Sequence, residues 1–170
     1  PKEGRLRRIA FAQLALPGHD QKSVAEVKEA EDELGRLSRA IPLWLAETFY
    51  FSPLYSPVAA VGILTTAEGT NRYVNFGAEW TTENLRQLVE TTEGGLDYIF
   101  SGALRGTTGD YELVLRVWEV KSYRERKAFQ ARWTPATADA ALNQLHSQVR
   151  MYMEWSPASA AFAYTIPHPL

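Results

Sequence analysis

The residues of this chain whose types could do chemistry are three histidines, a few carboxylates and one basic turn. His19, His146 and His168 stand far apart in the sequence. A metal ion needs three or four converging ligands, and no His-x-x-x-His or Asp-x-Asp spacing offers them. His19-Asp20 is the one adjacent pair with metal or acid–base character, although an aspartate in a turn ordinarily bonds its own backbone. His146 falls beside the apolar stripe of a C-terminal helix and reads as a boundary histidine with a satisfied ring. Glu79, Glu83 and Asp97 are carboxylates that the fold could bring together, and Asp97 reads equally well as the polar opening of a strand. General acid–base work requires hydrogen-bond distances that spacing alone does not set.

Phosphate-cradling signatures are missing. There is no Gly-x-x-x-x-Gly-Lys-Ser/Thr and no Gly-x-Gly-x-x-Gly, and Pro17-Gly18-His19-Asp20 follows the first expected strand instead. No Gly-x-Ser-x-Gly elbow occurs. The absence of cysteine removes thiol catalysis, disulfides and cysteine-based zinc or iron–sulfur sites. No catalytic residue, cofactor site or metal site is assigned from the sequence. One turn is basic, with Lys121, Arg124, Arg126 and Lys127, Arg116 and Arg132 on its flanks, and Tyr123 at its tip. Charged protection of exposed strand ends explains such a turn. The functional reading is a patch for an anionic partner, with Lys121, Tyr123, Arg124 and Arg126 as its contacts. The net charge of −2 argues against nucleic acid as the main partner.

These residues need elements to hold them. Arg7 to Leu16 is apolar on both alternating faces, as a strand covered on both sides would be. Gln21 to Ser38 is helix-like with a charged face. Pro42 suits the first turn of a second helix, over Ile41 to Phe51. Val58 to Leu64 reads as a second strand, and Tyr73 to Phe76 as a short edge strand. Thr81 or Thr82 can cap a helix carrying Leu85, Leu88 and Val89, and Gly94-Gly95 ends it. A meander follows: Asp97 to Leu104, Tyr111 to Val120 and Lys127 to Trp133. The last helix runs from about Thr137 to Trp155, with Ala138, Leu142, Leu145 and Val149 in its stripe. Ser156 to Leu170 holds three prolines and little periodicity.

The order predicts one α/β domain over residues 1–155. Its mixed parallel and antiparallel sheet of about five strands is covered by three to four helices, ending in a three-strand meander and a C-terminal helix. The first two strands, joined through helices, should be parallel. Residues 156–170 read as a Pro/Ala-rich tail or a linker to another domain. The length of 170 residues and the 45% apolar and 22% charged content suit one ordinary globular domain. The longest uncharged run, Thr48 to Ala67, is broken by Pro53 and Pro57 and is no membrane helix. The chain opens at Pro1 without the order of a signal peptide and is expected to be a piece of a longer protein.

Leu96-Asp97-Tyr98-Ile99-Phe100-Ser101-Gly102-Ala103-Leu104-Arg105 resembles a stretch of bacterial TolB-type N-terminal domains and their relatives, including the curli secretion protein CsgG. Those families show a strand opening near Asp-Tyr, a Gly about four residues after the Tyr, a turn, two further strands and a closing helix. Arg8-Ile9-Ala10-Phe11 resembles their opening strand, and the likeness covers roughly residues 7–155. Two departures stand out: Gln13-Leu14 replaces the Pro-Phe continuation of the first strand, and the stretches Pro17 to Arg39 and Thr65 to Trp80 are longer. The resemblance implies a non-enzymatic α/β module of a larger bacterial protein, associated with the periplasm or cell envelope. It supplies no catalytic residues to transfer. The leading expectation is therefore a protein-interaction domain with an unidentified protein partner. The alternative is a small-ligand or nucleotide-binding domain, or an enzyme. Its site would lie beyond the carboxyl ends of the first two strands, near His19 and Thr65-Thr66.

Overall fold

The computed structural model describes residues 4–19, 32–107 and 109–157. Asp20, His168, residues 21–31 of the helix expected over Gln21 to Ser38 and the tail from 158 lie outside them, while Glu33 to Ser38 belong to the longer helix Glu33–Tyr50 rather than to a helix of their own. Five strands form a mixed sheet in the order β2-β1-β5-β6-β7. They are β1 (Arg7–Ala12), β2 (Tyr55–Ala60), β5 (Tyr98–Thr107), β6 (Asp110–Glu119) and β7 (Arg124–Trp133). A separate hairpin pairs β3 (Ile63–Thr65) with β4 (Asn71–Tyr73). The helices are α1 (Glu33–Tyr50), α2 (Thr82–Thr91) and α3 (Ala138–Tyr152).

β1 is central because its side chains are apolar in both directions. Ile9, Ala10, Phe11 and Ala12 are each at most 1% exposed. β1 is parallel to both β2 and β5, and β5-β6-β7 is an antiparallel meander. One face carries Ile9, Phe11, Phe100, Leu115 and Phe129 against α1 and α3. Phe11 stacks on Phe100 at 5.0 Å and meets Phe49 at 5.3 Å. On the opposite face Ala10 and Ile99 meet Leu85 of α2, with Trp80 and Trp118 packed alongside. Thr81 caps α2 and forms a reciprocal capping box with Asn84.

Five elements differ in their bounds from the sequence pattern. β1 stops at Ala12, not Leu16: the Gln13 N–H still bonds the Ala60 carbonyl of β2, but the Leu14 N–H leaves the sheet for the Ser38 carbonyl of α1. Only Ala15 rejoins the sheet, by a single bridge to Ala103. Glu33 to Tyr50 is one helix that runs through a buried Pro42. Proline cannot donate to the Ser38 carbonyl four residues back. That carbonyl instead accepts the backbone N–H of Leu14 at 2.9 Å. The bond lost inside the helix is thus replaced by one that ties the helix to β1. The second strand begins earlier, at Tyr55, and ends at Ala60, so Ile63 and Leu64 belong to the separate hairpin. The edge strand expected over Tyr73 to Phe76 is β4, which starts two residues earlier, at Asn71, and ends at Tyr73. The meander's third strand likewise opens at Arg124, three residues before Lys127.

Among the described residues β2 and β7 are the sheet's edges. Arg7 N–H reaches the Leu54 carbonyl at 2.9 Å, and Gln13 N–H the Ala60 carbonyl at 2.8 Å. Even-numbered residues of β2 therefore face β1, and Tyr55, Pro57 and Ala59 turn their peptide groups outward. Pro57 thus has its missing N–H on the outer side, the position an edge tolerates.

Gly102 has a steric reason to be glycine. A Cβ there would lie 2.0 Å from the Val114 carbonyl oxygen on the paired strand. Gly102→Ala must push β5 and β6 apart, which is overpacking of a kind that costs about 3 kcal/mol. The expected result is a lower denaturant midpoint with no change in slope. An alanine variant as stable as the parent would show that the β5–β6 spacing gives way freely.

Candidate functional site

Beyond the carboxyl end of β1, one buried polar side chain organises the surface. Gln13 is fully buried. Its Nε2 donates to the Val74 carbonyl at 2.6 Å, and its Oε1 accepts from the Gly62 N–H at 2.9 Å. Leu16 N–H reaches the Phe76 carbonyl at 2.7 Å. Residues 62–76 are thereby stitched across the end of the strand, and the β3–β4 hairpin projects from that base. Ile63, Leu64 and Tyr73 are 56%, 53% and 62% exposed. Ile63 and Tyr73 are directly opposed in the ladder and share a face. The Arg39 guanidinium lies 4.2 Å from the centre of the Tyr73 ring. Burial holds the pKa of Arg39 below its ordinary value, against the raising influence of Tyr73.

Thr65 and Thr66 sit on this hairpin. Thr66 accepts from Gly69 and Thr70 within the turn. His19 does not need Asp20 as its partner: its Nε2 lies 2.5 Å from Asp32 Oδ2. The other oxygen of Asp32 caps α1 by accepting from Gly35 N–H at 2.8 Å. The pair fastens the turn after β1 to the start of α1.

The opposite end of the sheet holds an open cavity of about 340 Å³, lined by Arg7, Tyr98, Glu119, Arg126, Tyr152, Met153 and Glu154. Its charges are paired. Arg126 Nη2 is 2.6 Å from Glu119 Oε2, and Arg7 Nη1 is 3.2 Å from Tyr55 Oη and 3.8 Å from Glu154. Hydrogen bonds from Ser122 and Arg126 hold the Glu119 carboxyl below its ordinary pKa, which makes it a weak base at neutral pH. A second cavity of about 390 Å³ is apolar, with Phe76, Trp80 and Leu88 on its walls and Asn84, Gln87 and Thr91 around them. Neither cavity is lined by His19, Thr65 or Thr66.

The structure brings the four residues of the basic turn to the same end as the first cavity, but not as a free patch. Tyr123 packs on the α2 side of the sheet beneath Arg86, whose guanidinium is 4.8 Å from the ring centre. Arg126 is paired with Glu119. Lys121 and Arg124 are exposed and make no ion pair among the described residues. Arg116 lies between Glu79 at 3.0 Å and Glu125 at 3.2 Å, and Arg132 pairs with Glu112 at 2.9 Å. Glu79 therefore serves a strand arginine, Glu83 sits in the first turn of α2, and Asp97 accepts from the Arg8 backbone at 2.8 Å.

The residues that sequence reasoning passed over are Gln13, Arg39, Ile63 and Tyr73. The signal for the hairpin was present: Gly62 interrupts the apolar run, and Gly69, at φ 77°, supplies the turn.

No protein-family model matches the chain, and no curated protein does. Solved structures to which the chain is similar include TolB from Acinetobacter baumannii, at 8% identity and a TM-score of 0.45. That match covers 89% of this chain and 29% of TolB, so the chain spans less than a third of that protein. The PelC dodecamer from Paraburkholderia phytofirmans is 14% identical with a TM-score of 0.47, over 88% of this chain and 89% of PelC. Lipoprotein GNA1162 from Neisseria meningitidis is 14% identical with a TM-score of 0.44, over 86% of this chain and 96% of the lipoprotein. Nothing about activity, partner or assembly follows for this chain from likenesses at this level. No helix among the described residues is long and apolar enough to cross a membrane.

His146, expected at a helix boundary, is fully buried between α1 and α3. Its Nε2 lies 2.7 Å from Thr48 Oγ1, and its ring lies 4.5 Å from Trp44. Because the Thr48 hydroxyl donates to the Trp44 carbonyl, we assign the ring proton to Nε2. Nδ1 is buried without a hydrogen-bond partner among the described residues. Burial, and secondarily the charge of Arg150, lowers the pKa to about 4. The folded value lies below the unfolded one, so the stability tied to the neutral ring is complete above about pH 6.5. It is lost as the pH falls towards 4, by about 3 kcal/mol. His146→Leu should remove that part of the acid sensitivity. Denaturant melts at pH 7 and pH 4 measure it: equal losses in parent and variant would mean that the ring is not what acid attacks.

Proposed function

We propose that this chain is a non-catalytic interaction domain of a larger bacterial protein of the cell envelope, docking another protein through the β3–β4 hairpin. The observation that carries the docking is the exposure of Ile63, Leu64 and Tyr73 on a ribbon held firmly at its base. An isolated two-stranded hairpin is marginal in water. Here Gln13 and Arg39 fix it, so little ordering remains to be done on association. Completing the burial of each half-exposed side chain contributes on the order of 1 kcal/mol. Leu43, one turn beyond Arg39 on α1 and 50% exposed, extends the same apolar character. The envelope setting rests on the resemblance of the Asp97–Arg105 stretch and the element order to TolB-type domains.

The test compares parent and Ile63→Ser/Tyr73→Ser chains as bait in lysate of the bacterium that encodes them. The expected outcome is one partner bound by the parent and at least about tenfold more weakly by the double variant, with equal melting temperatures. Equal capture by both chains would remove the hairpin from the interaction. A melting temperature that rises with the concentration of a nucleotide or metabolite would replace the reading with ligand binding. Recovery of the parent protein in the cytosolic fraction would overturn the envelope setting.

A further inference from the structure

We propose that the apolar cavity beside α2 is a binding site for one small, uncharged, ring-bearing molecule that carries a carbonyl-type acceptor. Its volume of about 390 Å³ falls within the range of small-molecule sites, roughly 300–1,000 Å³. It shares no described lining residue with the β3–β4 hairpin or with the charged cavity.

The walls are set before anything enters. The Phe76 carbonyl accepts the Leu16 N–H at 2.7 Å, which fixes one wall to the chain just after β1. The Phe76 ring is seated against Gly62, where a Cβ would come within 2.7 Å of it. Trp80 meets Phe76 edge-on, with ring centres 5.8 Å apart. Trp80 and Leu88 both pack against the cluster of Ala10, Leu85 and Ile99. Two aromatic rings and a leucine held in this way suit a flat apolar ring, and little ordering remains to oppose its entry.

The charge of the ligand follows from the lining. None of the described lining residues carries a charge. The charges nearest in sequence are engaged elsewhere: Glu79 meets Arg116 at 3.0 Å, and the Arg86 guanidinium lies over the Tyr123 ring at 4.8 Å. A ligand with a formal charge would lose hydration in this cavity and meet no opposite charge. The ligand is therefore neutral.

Its polar group follows from which hydrogen-bonding atoms are already committed. Asn84 Oδ1 accepts from the Thr81 N–H at 3.0 Å and from the Thr81 hydroxyl at 2.9 Å, which leaves the Nδ2 donors of Asn84. The Thr91 hydroxyl donates to the Gln87 and Leu88 carbonyls at 2.8 and 3.2 Å, so it has no proton to give. The Trp80 indole N–H, which can only donate, is shielded from water and has no hydrogen-bond partner among the described residues. Gln87 adds a second amide from the exposed side of α2. Donors predominate, and the group that matches them is a carbonyl oxygen.

Nuclear magnetic resonance titration of the full 170-residue chain tests this with three fused bicycles of similar size. Coumarin is neutral and has a carbonyl acceptor, indole is neutral and has a donor in its place, and coumarin-3-carboxylate is charged. The expected result is that coumarin shifts the Trp80 indole N–H and the Leu88 methyl signals saturably, with a Kd below about 1 mM. Indole and coumarin-3-carboxylate should each bind at least about tenfold more weakly. Ala78→Trp, at an exposed position on the wall, should fill the cavity and abolish the coumarin shifts with the melting temperature unchanged. Absence of a saturable shift, or shifts that persist in Ala78→Trp, would overturn the site. Indole binding as tightly as coumarin would overturn the acceptor, and equal binding of the carboxylate would overturn the neutral charge.

Discussion

The whole arrangement hangs on what happens to the backbone just after β1. A strand apolar on both faces can only be central, and once central its carboxyl end must dispose of peptide groups that no longer meet a neighbour in register. Gln13 and Leu14 do this in three directions. The Gln13 N–H stays with β2, the Gln13 side chain takes Val74 and Gly62, and the Leu14 N–H takes the Ser38 carbonyl. That last bond exists because Pro42 leaves the carbonyl without its helical donor. Strand, helix and projecting hairpin are thus located relative to one another by groups within two consecutive residues.

Charge is handled conservatively around this centre. Arg116 is shared between Glu79 and Glu125, Arg126 is matched with Glu119, and Arg132 with Glu112. Exposed pairs like these contribute little each to stability. Their effect along β7, an edge among the described residues, is to line an otherwise pairable backbone with charge. The basic turn so conspicuous in the sequence is largely the end of this edge. Its tyrosine is packed against α2, and one of its two outer arginines is already paired.

Much of this was legible in the residues. The meander from Tyr98 to Trp133 announces itself by alternation, and Gly102 marks where two strands come too close for a side chain. Thr81 or Thr82 marks the start of α2 by residue type, and the structure takes Thr81, with Asn84 closing the capping box. What could not be read depended on partners distant in sequence. Pro42 looks like a helix start until Leu14 is seen supplying the missing donor. Ile63 and Leu64 look like the end of a covered strand, because apolar spacing reports what a residue prefers and not whether anything covers it. His146 looks like a boundary residue because the stripe of α3 says nothing of Trp44 and Thr48 on α1. Nothing in the spacing around Gln13 says that its amide is held by Gly62 and Val74, which lie far along the chain.

The buried Gln13 and the exposed hairpin are connected at the hairpin's base. A glutamine at 13 is costly to bury unless its amide is satisfied on both sides, and it is satisfied only if residues 62–76 are drawn over the end of β1. The intervening chain pairs with itself as the β3–β4 hairpin. Arg39 stacks on Tyr73, yet Ile63 and Leu64 stay more than half exposed. A core glutamine thus anchors the base of a hairpin that displays apolar side chains.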